Sequence, residues 1–205
     1  FPYTVGYGAT ECAPIICYQD YHSYVPGSCG KAVIHMEVKI DSPQPQTITG
    51  EILARGTNVM LGYYKNPEAT AEVLDAEGWY HTGDLGVMDE HGNVFIKGRS
   101  KNMLLGSNGQ NIYPEEIEDK INSLPMVTES LVVQRDEKLV ALVYPDTDEI
   151  AQQRMSNEEV QQKMELNRQE INAELPAYCK ISSIELRTSE FEKTPKKSIK
   201  RYLYK

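Results

Sequence analysis

From Lys31 to Asp41 the chain reads KAVIHMEVKID. Ala32, Ile34, Met36, Val38 and Ile40 fall at every second position among neighbours of mixed polarity, which predicts one strand with a single buried face. GEILARG (50–56) and GNVFIKGR (92–99) predict two further strands. Between them, NPEATAEVL (66–74) offers Asn66 as N-cap, Pro67 at the first helical position and Glu68 in the first turn, the signature of a short helix. Gly and Pro break up the rest of the first hundred residues, so residues 1–100 read as β-rich.

The texture changes after Arg99. MLL (103–105) leads into a loop, GSNGQN (106–111). In YPEEIEDKINSL (113–124) the residues Ile117, Ile121 and Leu124 then share one helical face. SLVVQ and KLVALVY, separated by the charged turn RDE, predict a hairpin. Ser156 and Glu159 form a capping box that opens a helix running through Val160, Met164, Ile171 and Leu175 until Pro176 stops it. ISSIEL (181–186) is a last strand. The pattern gives an α+β chain in two parts, the second beginning after Arg99, without internal repeats or low-complexity segments.

Composition narrows the function classes. The 205 residues carry 21 Lys and Arg against 30 Asp and Glu, a net charge of −9 that opposes nucleic-acid binding and docking on an anionic membrane. No run is apolar enough for a membrane helix and the first residues lack the features of a signal peptide, so a cytoplasmic protein acting on small molecules is expected. The four cysteines, Cys12, Cys17, Cys29 and Cys179, form no CxxC pair and are expected to be reduced and metal-free. Charge is uneven: Phe191 to Lys205 carries six Lys or Arg against one Glu, whereas Glu115, Glu116, Glu118 and Asp119 make an acidic run expected to be a solvated helix start.

Two stretches suggest chemistry. GYGATE (6–11) sets glycines, which admit close backbone approach, beside Thr10, whose hydroxyl suits a phosphate, and Glu11, whose carboxylate suits Mg²⁺. A strand end followed by a turn explains the same residues. WYHTGDLG (79–86) puts Asp84 between glycines, where a carboxylate either caps a turn or holds a ligand. Trp79 and Tyr80 are expected in the core, and His81 packed or partly exposed rather than acting as a base.

Five segments in order, YGATE (7–11), GEILARGTNVMLGYYKNPEAT (50–70), GWYHTGD (78–84), GRSKNMLLGSNGQNIYPEEIE (98–118) and EKTPKKSIKR (192–201), make the chain resemble the adenylate-forming enzymes over nearly its whole length. That family includes acyl-CoA synthetases, luciferases and the adenylation domains of peptide synthetases; IYPEEIE and KRYLYK are most like the long-chain acyl-CoA synthetase branch. The resemblance implies the β-rich end of the large AMP-binding domain at 1–100, followed by a small α+β C-terminal lid at 101–205. It implies a reaction in which a fatty acid attacks ATP to give acyl-AMP and coenzyme A then displaces AMP.

The resemblance also implies residue roles. Asp84 would bind the ribose hydroxyls of ATP or AMP, as a carboxylate accepts two hydrogen bonds, and Arg99 would contact the ribose and phosphate side. Tyr7 and Gly8 would line the adenine, Thr10 would hold phosphate and Glu11 Mg²⁺. Lys101 would be the hinge, and the loop around Gly109 would line the entry of the pantetheine thiol. In the tail, the position of the family's catalytic lysine is filled by Ser198, and Lys197, with Lys200 second, is the expected substitute. The family's Lys-bearing phosphate loop and most of its acyl pocket would lie upstream of Phe1. This stretch by itself is therefore expected to be inactive, with exposed apolar surface favouring self-association. The alternative is a nucleotide-binding or protein-interaction module that kept the scaffold without turnover.

Overall fold

A computed structural model describes residues 3–106 and 108–204. The chain forms two compact units, Phe1–Lys101 and Asn102–Lys205. In the first, strands β1 (Val5–Gly8), β2 (Ile15–Gln19) and β3 (Lys31–Ala32) make an antiparallel sheet in that order. Strands β4 (Met36–Asp41), β5 (Gly50–Gly56), β6 (Tyr80–Met88) and β7 (Val94–Arg99) make a second, a sequential antiparallel meander. Helix α1 (Pro67–Val73) lies between β5 and β6 in sequence, its Asn66 side chain accepting from the Ala69 amide as the capping pattern predicts. Residues from both sheets, among them Tyr7, Ile16, Cys17, Ile40, Ile52 and Val94, share one core.

The single strand expected over 31–41 is broken. His35 adopts a left-handed φ of 66°, the Met36 amide bonds the Val33 carbonyl, and Ile34 is 84% exposed, so only the stretch from Met36 keeps the alternation. Alternation over Ala32 to Ile40 spans a turn that joins two sheets, which period alone cannot distinguish from continuous strand.

In the second unit β8 (Leu104–Leu105) and β9 (Asn111–Ile112) form a small hairpin before helix α2 (Pro114–Asn122). The long hairpin of β10 (Val127–Arg135) and β11 (Lys138–Pro145) turns at Asp136 and Glu137, both with positive φ, as a two-residue turn matched to strand twist requires. Helices α3 (Thr147–Gln153) and α4 (Asn157–Glu174) then carry the chain to β12 (Ile181–Leu186), parallel to β11. The capping box at Ser156 and Glu159 is formed as the sequence indicates. Strand β11 is central, and both its faces are covered. Leu139, Ala141 and Val143 pack with α2 and α4 residues Ile117, Ile121, Met164 and Ile171, whereas Val140 and Leu142 pack with Phe191 from the tail. Burial on both faces explains why KLVALVY is a continuous apolar run.

The acidic run of α2 is not a uniformly solvated face. Glu118 is buried and joined to Arg201 by two bonds of 2.8 Å, a partner 83 residues away that helix-surface patterning cannot reveal. Among the described residues no helix is long and apolar enough to cross a membrane. The four cysteines are free thiols, and no group of three His, Cys, Asp or Glu among the described residues could hold a metal ion.

Candidate functional site

Asp84 stands on strand β6 rather than in an open turn. Along that strand Tyr80, Thr82, Asp84 and Gly86 are buried in alternation, with Asp84 8% exposed. The strand is irregular where the motif lies. Glu51 faces Leu85 but Leu53 faces His81, so Thr82, Gly83 and Asp84 are opposed by Ile52 alone. Such a bulge bends the strand and re-aims its side chains, and Gly83 supplies the φ of 70° that it needs. On the other side Asp84 faces Arg99, and the register slips again between Leu85 and Gly86.

Side chains lock the bulge. The Thr82 hydroxyl donates to the Ile52 carbonyl at 2.7 Å and accepts from the Asp84 amide at 3.0 Å. Glu51 accepts from the Gly83 amide at 2.9 Å through one oxygen and meets His81 Nδ1 at 2.9 Å through the other. His81 is therefore engaged by a carboxylate and half-buried, while Trp79 and Tyr80 are core residues. Glu51 and Thr82 were not singled out by motif reading. The alternation YHTGDLG would have found Thr82, since it falls on the Asp84 face.

The Asp84 carboxylate receives a donor on each oxygen: Arg99 Nε at 2.7 Å on Oδ1 and the Tyr7 hydroxyl at 2.7 Å on Oδ2. Arg99 is half-exposed and also donates from Nη1 to the Thr82 carbonyl at 3.3 Å. Burial, reinforced by the Asp84 charge, pushes the Tyr7 phenol above its ordinary range, so the hydroxyl stays a donor. A carboxylate oxygen accepts more than one hydrogen bond and donates none, the property that binding of ligand hydroxyls demands. The structure thus brings Tyr7, Asp84 and Arg99 together.

The other candidates are placed separately. Gly8 packs so closely on Pro14 that an added Cβ would meet the Pro14 carbonyl oxygen at 1.9 Å, a packing reason for glycine at that position. Thr10 and Glu11 begin a short 3-10 turn, Thr10–Cys12, and Glu11 accepts from the Tyr63 hydroxyl at 2.8 Å. Lys101 is exposed in the 3-10 turn Ser100–Asn102, where the chain passes from one compact unit to the next. Gly109 is exposed with φ 78° and open space where a Cβ would be; Ser107 of the same loop lies outside the described residues.

In the tail, Lys193 faces Ile199 in a β-bridge, the Thr194 amide donates to the Ser198 carbonyl at 2.8 Å, and the Lys197 amide donates to the Thr194 carbonyl at 2.8 Å. Residues 194–198 form a tight turn with Lys197 left-handed, φ 62°, and exposed near its tip. Lys200 is paired with Glu192 at 3.3 Å. The two lysines singled out from sequence therefore differ, one projecting from the turn and one facing a carboxylate across it.

Comparison with known proteins matches residues 2–64 to the family model described as AMP-binding enzyme, and residues 101–204 to that described as AMP-binding enzyme C-terminal domain. A long-chain-fatty-acid–CoA ligase of Escherichia coli O6:H1 is 45% identical over 136 residues, 62% of this chain and 23% of that protein. A chloroplastic long-chain-fatty-acid–acyl-carrier-protein ligase of Arabidopsis thaliana, AEE15, is 34% identical over 160 residues, 70% of this chain and 22% of that protein. Among solved structures, the O-succinylbenzoate coenzyme A synthetase (MenE) of Bacillus subtilis in complex with ATP and magnesium ion superposes with a TM-score of 0.79 at 25% identity, covering 98% of this chain and 41% of that one. The chain thus spans about a quarter of the length of the curated relatives it matches.

Proposed function

This chain belongs to the AMP-binding enzyme family, and we propose on that premise that it is the C-terminal part of an ATP-dependent ligase that activates a carboxylic acid as its acyl-adenylate and transfers it to a thiol. The acid we assign is a long-chain fatty acid and the thiol coenzyme A; the similarity to the Escherichia coli ligase supports this choice. The observation that carries the reading is the buried Asp84 carboxylate, aimed by a bulged strand and already holding a phenol and a guanidinium.

In this reading Asp84 accepts the ribose hydroxyls and thereby fixes the nucleotide, while the guanidinium of Arg99 turns its remaining donors toward ribose and phosphate oxygens. Tyr7 and Gly8 border the adenine, and the Thr10 hydroxyl donates to phosphate. Glu11 is a single carboxylate fixed by Tyr63, a donor set that suits Mg²⁺, an ion that keeps its waters and binds through one carboxylate plus substrate phosphates. When bound there, Mg²⁺ would supply charge neutralisation at the phosphates. Both half-reactions depend mainly on positioning and charge, so a lysine is needed near the acyl carboxylate and the α-phosphate during adenylation. Lys197 fills this role, because it projects from the tail turn whereas Lys200 faces Glu192. Lys101 is the pivot of the lid, and the Gly109 loop borders the thiol entry.

A second reading rests on Ser198, which stands where the resemblance places a lysine: a nucleotide-binding module without turnover. One assay separates the two. The whole protein carrying this sequence is incubated with ATP, Mg²⁺ and coenzyme A against carboxylic acids from acetate to palmitate, with aryl acids alongside. AMP release and thioester formation at about 1 per second or more are expected with long-chain acids. Turnover with aryl acids alone would replace the substrate, and ATP binding without AMP release for any acid would favour the second reading.

A further inference from the structure

The tail from Phe191 to Tyr204 contains little regular structure, yet its hairpin is held by two carboxylates, Glu129 on β10 and Glu118 on α2. On one arm, Glu129 of β10 accepts from the Phe191 amide at 3.2 Å and from Lys193 Nζ at 2.6 Å. On the other arm, Lys200 donates its amide to the Glu192 carbonyl at 2.8 Å, and the next residue, Arg201, reaches Glu118 with both terminal nitrogens at 2.8 Å. Glu118 also accepts from the Val132 amide at 2.6 Å, and Arg201 donates to the Val132 carbonyl at 3.3 Å. Glu129 and Val132 lie three residues apart on β10, about 10 Å along the strand. One arm is therefore clamped to β10, the other to α2 and through Val132 to β10, while the turn 194–198 stands beyond the clamps.

A buried ion pair is a poor device for stability alone, since apolar side chains of similar volume would serve as well or better. Ile117, Ile121 and Val132, neighbours of Glu118 in sequence or bonded to it, are core residues, so an apolar contact would have suited the place. What the pair adds is register. A planar fork meeting two carboxylate oxygens, with one of those oxygens also held by a backbone amide, admits one arrangement of the tail on β10. We propose that Glu118 and Arg201 are positioning residues that set where the lysine-bearing turn of the tail stands during adenylation. This rests on the assignment of the tail lysine made above.

The test uses Arg201→Lys, which keeps charge but loses the fork, and Glu118→Gln, which keeps an acceptor for Val132 but loses charge. On this chain, amide hydrogen exchange at Thr194 and Lys197 is compared with that of the β10–β11 ladder. Faster exchange by tenfold or more at the turn, with the ladder unchanged, is expected. In the whole protein, acyl-adenylate formation should fall tenfold or more while thioester formation from synthetic acyl-adenylate stays within twofold. Unchanged exchange at the turn, or an equal loss of both half-reactions, would overturn the positioning role. Failure of the underlying reading has a different sign: Lys197→Ala adenylates at the parental rate while both anchor variants still loosen the turn and slow adenylation, which retains the anchor and removes Lys197.

Discussion

The two units hold their candidate chemistry by different means. In Phe1–Lys101, Asp84 is aimed by backbone: a strand in the interior of a four-stranded sheet, bulged against β5 and slipped against β7, leaves little freedom in where the carboxylate points. In Asn102–Lys205, the lysines of the tail are aimed by side chains, through Glu129, Glu118 and the ring contact of Phe191 with Tyr204, with centroids 5.1 Å apart. A sheet distributes the constraint over many backbone hydrogen bonds, so loss of one side-chain partner is tolerated. A clamped tail concentrates it in a few contacts, and loss of one frees the segment. Rigid aim suits nucleotide binding, whereas a tail held at few points can be displaced.

The largest difference should appear at alkaline pH. Burial, and then neighbouring carboxylates, raise the phenols of Tyr7 and Tyr80 above their ordinary 10.0, and burial pushes the Cys12 thiol from 9.0 to about 11. A group whose folded value is raised contributes fully below its unfolded value, and the contribution is lost as pH rises through the folded one. From about pH 9 upward the unfolded first unit releases these protons and the folded one does not. Each such group then weakens it by about 1.4 kcal/mol per pH unit. In the second unit burial raises the Cys179 thiol and, with less consequence, the phenol of Tyr178, which is exposed. Trp79 is the only tryptophan and reports the first unit, while far-ultraviolet circular dichroism follows the helices α2, α3 and α4 of the second. Trp79 fluorescence should change at lower pH than the helical signal, and coincident transitions would contradict the contrast.

Next in size are the cores. Ile16 and Ile121 are each fully buried, in separate clusters belonging to different units. Truncation of either to Ala should cost roughly 2 to 5 kcal/mol. If the units fold independently, as we propose, Ile16→Ala lowers the Trp79 transition and spares the helical one, and Ile121→Ala does the reverse. Equal shifts of both signals in both variants would make the chain one cooperative body.

How much of this was legible before folding follows from where each constraint is written. The capping box at Ser156, the helix after Asn66 and the β10–β11 hairpin are local, and their residues say so. Asp84 and Arg99 were legible as a motif, yet the bulge that aims Asp84 was not, since it depends on the register of β6 against two neighbours. Alternation over 31–41 continues by chance through the turn at His35, so period alone predicts one strand where the chain makes two segments. Glu118 is buried because its partner is Arg201, and a helix surface pattern carries no information about a tail. Local rules find caps and turns; pairings distant in sequence need the fold.

Asp84→Ala sharpens the comparison by removing what the sheet aims. Charge-assisted bonds to two hydroxyls would be lost, weakening ATP binding by the whole protein by roughly 1.5 to 3 kcal/mol, with Asp84→Asn milder. The measurement is the ATP dissociation constant by calorimetry, and an unchanged constant in the Ala variant would remove Asp84 from the site.

Tyr7→Phe asks whether backbone aim is sufficient without the hydroxyl partner. The variant keeps the buried ring and deletes only the donor that reaches Asp84 at 2.7 Å. Stability of the first unit should fall by about 0.5 to 1.5 kcal/mol, the net worth of one hydrogen bond, and somewhat more if the freed carboxylate lone pair stays dry. Nucleotide affinity is the informative readout. Asp84 still has Arg99 at 2.7 Å, its own amide is still fixed by Thr82, and Gly83 is still held by Glu51, so the carboxylate should not move. The ATP dissociation constant should then change by less than threefold, below about 0.7 kcal/mol. This is the counterpart of Arg201→Lys, where a similarly small chemical change is expected to release a segment. A tenfold or greater loss of affinity in Tyr7→Phe would mean that Asp84, like the tail, depends on individual side-chain anchors, and the contrast between the two units would fail at its strongest point.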